Sequence, residues 1–314
     1  MDEELLASSS ANGTRGLGRR LVVGAKERIV KRRAHGYFLP DDGATASTLE
    51  TQTSSEVHAM ATGSFPDDPG SRKAILVLQQ HDLERCAYEP GAAQSLLDEE
   101  AYVLQFPVRP HGELSMALRN VMDGGLARPG TVLVQSPFDP DSYEEASLAP
   151  QRFALAKHMY FSILCMHLGA KKVSVEQLDL RTRSGKTSVD VKGERLGAGA
   201  QVTVEAEELE RFRAQMNLHD EFAGGSPDIA AADQLLRRTG LLADPNMRTL
   251  LEMRRSGANQ LLSRKLVLNL SSEAKSNLNV VGRLKIPSFV KLSAEYDHVI
   301  KEQHDYTLTV CVKF

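Results

Sequence analysis

The chain has 314 residues, 41% of them hydrophobic, and a formal net charge of −3. That is enough apolar material for one large or two modest domains, and too little net charge to steer the whole molecule onto nucleic acid. No stretch approaches the roughly 18 to 20 apolar residues of a membrane span, and the three widely spaced cysteines, Cys86, Cys165 and Cys311, suggest neither a disulfide framework nor a zinc centre.

The charge is unevenly spread. Between Arg15 and Arg33 six arginines and two lysines meet one glutamate, a local charge of +7 that leaves −10 for the rest. Residues 17 to 34 also space Leu21, Ala25 and Ile29 four apart, with Arg20, Arg28 and Lys31 elsewhere on the circumference, the pattern of a basic amphipathic helix. Arg19, Arg20, Lys26, Arg28, Lys31, Arg32 and Arg33 are thus candidates for contact with an anionic membrane or nucleic acid, set against a plain solvated tail. From residue 41 to 71 Ser, Thr, Gly, Pro and Asp dominate, so residues 1 to 71 read as a basic tail and linker. The acidic Met-Asp-Glu-Glu opening does not fit a secretory signal. The expected location is the cytoplasm, with peripheral membrane attachment through the basic segment as the variant.

Residues 72 to 170 read as an α/β part. "AILVL" at 74 to 78 and "TVLV" at 131 to 134 are short apolar runs ending in polar residues, the mark of buried strands, and 102 to 106 is a third. Between them, 113 to 122 places Leu114, Leu118 and Val121 on one helical face and stops at Gly124-Gly125. A long helix follows from 150 to 168, with proline in its first turn and Gly169 suited to its C-terminal cap. Its later turns are apolar nearly all round, which predicts deep burial.

From Lys172 the period changes to two. Val173, Val175, Leu178 and Leu180, then Val189 and Val191, then Val202 and Val204, predict an antiparallel meander with one buried face. Its first turn contains Ser-Gly-Lys-Thr, the tail of a phosphate-binding loop. That loop needs G-x-x-x-x-G-K-[ST] between a strand and a helix, so that backbone amides at the helix start hold the phosphates. Leu180 stands where the first glycine belongs and "SVDVKG" after Thr187 is strand-like, so Ser184-Gly185 reads as a hairpin turn with Lys186 exposed.

Three helix starts come next, within 207 to 257: 207 to 216 with Leu209, Phe212 and Met216; a second opened by Ser226-Pro227; a third opened by Asp244-Pro245. "LLRRTGLL" and "EMRRSGANQLL" each set an arginine pair before a hydroxyl residue and glycine. Convergence of Arg237, Arg238, Arg254 and Arg255 would make an anion site, while the helix dipole alone explains basic residues at helix ends. Strands then return at 265 to 270, 278 to 286, 289 to 296 and 306 to 313.

Two groups of residues could carry chemistry. In an open parallel sheet ligands bind beyond the carboxyl ends of the strands, where this chain would set Gln80, His81 and Asp82 beside Ser136, Asp139 and Asp141. His81 with Asp82, Asp139 and Asp141 could then act as a general base or hold a divalent metal; the rival reading is turn and cap chemistry. On the long helix His158, Ser162 and Cys165 share a face, and Cys165 with His158 could form a nucleophile pair, but core packing explains them better.

The expected fold is α+β: a short α/β layer at 72 to 170 continuing into a mostly antiparallel sheet at 171 to 314 with a three-helix insert at 207 to 257, parts that can share one core. No catalytic signature stands out and no cofactor is implied. The favoured function is a non-enzymatic protein-interaction or assembly protein, with a protein partner or a homo-oligomer. The alternatives are a hydrolase or nucleotide-modifying enzyme built on the His81 group, and a membrane-active β-rich protein.

Overall fold

The computed structural model describes residues 64–88, 98–109, 113–182, 186–190, 204–256, 260–284 and 304–314, all within one unit of the chain, Ala46–Phe314. The basic segment at 15 to 33, the Ser184-Gly185 turn, Val191, Val202 and the strand expected at 289 to 296 lie outside the described residues. The fold is α+β, with two sheets and helices on both.

The apolar run at 74 to 78 becomes β1 (Ala74–Gln79) in the middle of a four-stranded sheet with β2 (Ala101–Phe106), β3 (Val132–Gln135) and β4 (Tyr143–Glu145), in the order β2-β1-β3-β4. Its alternation is hidden because both faces are covered. Ile75 and Val77 face Ala117, Leu118 and Val121 of α2 (Met116–Asp123), while Ala74, Leu76 and Leu78 join the main core. The polar "QQHD" after β1 opens a helix, α1 (Gln80–Tyr88).

One expectation fails here with consequences for function. β1 and β2 are parallel, but β3 runs antiparallel to β1, pairing Ala74 with Val134 and Leu76 with Val132. After α2 the chain turns at Gly125 and Gly130, both with positive φ, and enters the sheet at the Val77 end, where Gly130 N–H donates to the Val77 carbonyl. The Tyr143-Glu144-Glu145 stretch after β3 is the edge strand β4.

Helix α3 (Ala149–His167) links the two halves. It ends as the sequence predicts, in a Schellman motif: Gly169 N–H donates to Met166 O and Ala170 N–H to Cys165 O. Gly169 has φ +76, and a Cβ there would overlap the Gly225 carbonyl oxygen. Phe153, Phe161, Leu164 and Leu168 bury against both sheets, which therefore share one hydrophobic core.

The second sheet is antiparallel, β6-β5-β9-β8, from β5 (Lys172–Arg181), β6 (Lys186–Asp190), β8 (Ser263–Asn269) and β9 (Asp305–Lys313). A register shift between Val175 and Gln177 moves the buried set from Val173 and Val175 to Leu178 and Leu180, which accounts for the imperfect alternation. The short β7 (His219–Glu221), not foreseen, pairs with the other end of the β5 edge that β6 occupies. One sheet face packs on helices; Thr307, Thr309, Ser174 and Lys265 lie on the other.

The insert holds its three helices: α4 (Val204–Gln215), α5 (Ile229–Arg238) and α6 (Pro245–Arg255). Val204, expected in a strand, begins α4. Helix α5 is capped by Asp228 rather than by Ser226, and α6 by Asp244, whose carboxylate accepts from the amides of Asn246 and Met247. The strand expected at 278 to 286 is instead α7 (Lys275–Arg283), which lies on β1 and β3. Its β-branched Val280 and Val281 suggest a strand, but with Asn277 they make one buried helical face, and Asn277 donates to the Gln135 carbonyl at 2.9 Å.

Candidate functional site

The His81 group is not assembled. Because β3 opposes β1, Asp139 and Asp141 follow the strand end beside Lys73, whereas His81 follows the far end of β1. Six residues of strand at about 3.3 Å each separate the two ends by about 20 Å. His81, 70% exposed, has Asp82 at 3.3 Å in the first turn of α1. Asp139 organises its own turn, accepting from Asp141 N–H at 3.0 Å and from the Ser142 hydroxyl at 2.6 Å. Asp141 pairs with buried Arg72 at 2.9 Å, and Arg72 also donates to the Tyr143 hydroxyl and the Pro140 carbonyl. These contacts hold the segment before β1 to β3 and β4.

The residues sharing a face of α3 fare similarly. Ser162 donates to Asp220 on β7 at 2.5 Å, and the Nε2 of buried His158 has no hydrogen-bond partner among the described residues. Burial holds the His158 imidazole below its ordinary range, against the pull of Asp220. Burial also pushes the Cys165 thiol far up, so it stays protonated and a poor nucleophile.

Lys186, at the start of β6, pairs across the ribbon with Asp179 at 2.9 Å. Lys186 and Thr187 lie in β6, opposite Arg181 and Leu180 of β5, so neither begins a helix that would offer its N-terminal amides to a phosphate.

Sequence reasoning missed the best-satisfied charge in the core. Lys157, fully buried within the apolar α3, places its ammonium 2.7 Å from Asp244, 2.6 Å from Glu273 and 3.0 Å from the Ser272 hydroxyl. These three contacts match the three donors of an ammonium group. Lys157 ties α3 to the cap of α6 and to the turn after β8.

The arginine pairs divide. Arg254 turns inward, donating to the Leu168 and Leu261 carbonyls at 3.0 Å each and lying over the Phe314 ring at 4.3 Å. Arg238 is exposed and does not line the groove described next. Arg237 and Arg255 do converge, from α5 and α6, on Asp233. They line an open groove of about 410 Å³ together with Arg248, Glu252, Leu242 and Ala243. The spacing explains the meeting: Asp233 and Arg237 lie one turn apart on α5, and Arg248, Glu252 and Arg255 follow at i, i+4 and i+7 on α6. That second pattern was the signal available in the sequence for Arg248.

Asp233 takes a two-pronged grip from Arg237, 2.6 Å from Nε and 3.4 Å from Nη2, with Arg255 Nη2 at 3.8 Å. The Arg237 hydrogen bond holds the Asp233 carboxyl below its usual range. Arg255 also binds Glu252 at 3.0 and 3.3 Å. Among the described residues Arg248 makes no ion pair, so three guanidiniums face two carboxylates. No group of three or more metal-holding side chains occurs among the described residues, and no helix there is long and apolar enough to cross a membrane. Comparison with protein families, curated proteins and solved structures gives no match.

Proposed function

We propose that this chain is a non-enzymatic interaction protein that docks an acidic group of a protein partner in the groove between α5 and α6. The observation that carries the reading is the open 410 Å³ groove whose guanidiniums outnumber its carboxylates and whose Arg248 has no acid among the described residues. A guanidinium presents a planar fork of donors that matches a carboxylate or phosphate, and such charge-assisted bonds are about twice as strong as neutral ones. Leu242 and Ala243 supply apolar surface beside the charges, where the stem of an acidic side chain can lie. An exposed, mixed-charge groove of this kind favours selection of a partner and fast encounter over high affinity.

The test is an isothermal titration of the full chain with a short glutamate-rich peptide at several salt concentrations. The reading expects saturable binding that weakens as salt rises, and a loss of about tenfold or more in Arg248→Glu, where attraction becomes repulsion. Absence of saturable binding, or equal affinity in the variant, rejects it.

A further inference from the structure

The position an external oxyanion would take in this groove is already filled, by a side chain of the protein itself. Asp233 lies between guanidiniums from two helices, 2.6 Å from Arg237 Nε on α5 and 3.8 Å from Arg255 Nη2 on α6. We infer that the groove is a phosphoryl-binding site whose arginines are occupied by Asp233, a resident pseudo-ligand that swings aside when a phosphoryl group enters. The inference rests on the docking reading above and names the chemistry of the docked group.

A carboxylate is the wrong ligand for displacement. Asp233 is tethered next to the arginines, which gives it an effective concentration of about a millimolar or more. An incoming monocarboxylate gains nothing by replacing one such group with another of equal charge, so a glutamate side chain docks at Arg248 and leaves Asp233 in place. A phosphoryl group brings about −1.5 to −2 charge and three acceptor oxygens, enough to engage together Arg237, Arg255 and Arg248, which makes no ion pair among the described residues. Glu252 remains on Arg255 and moderates the site's positive charge. Asp233 is 26% exposed and sits at the groove rather than in the core, so it has solvent to turn into. The groove is far larger than one phosphoryl group, leaving room for the chain that bears it beside Leu242 and Ala243. Binding alone is involved; no covalent bond forms or breaks.

The decisive comparison is the full chain against Asp233→Asn, each titrated by calorimetry with a phosphoserine peptide, the same peptide with glutamate in place of phosphoserine, and inorganic phosphate. Opening the site should raise affinity for phosphoryl probes about tenfold or more, with the glutamate peptide gaining less. Adding Arg255→Gln to Asp233→Asn should erase that gain. A phosphopeptide that outbinds inorganic phosphate assigns the group to a polypeptide; equal affinities assign it to free phosphate or a small phosphorylated molecule. If Asp233→Asn binds phosphoryl probes no better than the parent while unfolding at the parent's temperature, the inference is wrong. That failure is separable from failure of the docking reading, which shows in the parent chain's response to Arg248→Glu.

Discussion

Helix α6 touches two clusters of charge that behave in opposite ways. At its N-cap, Asp244 meets a lysine that is fully buried and uses every proton it has. Along its outer face, Arg248, Glu252 and Arg255 border a groove open to solvent, and the pairs there are exposed on one or both sides. The contrast teaches which charges hold a fold together and which are available. Buried ions persist only when paired and hydrogen-bonded, whereas exposed pairs contribute little and exchange with water and ligands.

The contrast breaks most visibly at Lys157. Lys157→Ala leaves Asp244 and Glu273 facing each other without their cation, and loss of one partner of a buried pair costs about 3 to 5 kcal/mol. Denaturant unfolding should show it, and a variant as stable as the parent would mean the cluster does not anchor the fold. The turn beneath α3 comes next. Gly169→Ala forces a side chain into positive φ and onto the Gly225 carbonyl, a strain of order 1 to 3 kcal/mol, readable as a lower midpoint with an unchanged denaturant slope.

A smaller effect concerns pH. His158 has its folded pKa held below the ordinary 6.5 by burial, so between those two values the unfolded chain binds the proton more readily than the folded one. Its contribution is therefore intact above pH 6.5 and is lost as pH falls through that window. The parent should lose more stability than His158→Gln between pH 7.5 and 5.5; parallel decline in both would place the sensitivity elsewhere.

The comparison also shows where sequence reading works. Strands β1, β2, β3, β5, β8 and β9 and helices α2, α3, α5 and α6 are legible because apolar runs, alternation and caps are local signals. Gly169 was readable for the same reason. The direction of β3 was not, because Gly125 and Gly130 reverse the chain and only pairing with Val77 reveals the sense of entry. That single reversal separates His81 from Asp139 and Asp141. Helix α7 is hidden from apolar periodicity because a polar residue, Asn277, completes its buried face beside the strand-like pair Val280-Val281. Among the arginines the pairs were visible, but which member turns inward depends on Phe314 and two carbonyls distant in sequence. Lys157 was overlooked because nothing local announces that two carboxylates, 87 and 116 residues further on, will meet it.

The most direct test of this division is the unfolding temperature of the full chain carrying Arg237→Gln, Arg248→Gln and Arg255→Gln together. If these arginines serve a ligand, the midpoint stays within about 2 °C of the parent, as substitutions of exposed charges usually do. A drop of about 5 °C or more would show that they fasten α5 to α6, and would contradict the claim that the groove's charges are free to serve a partner.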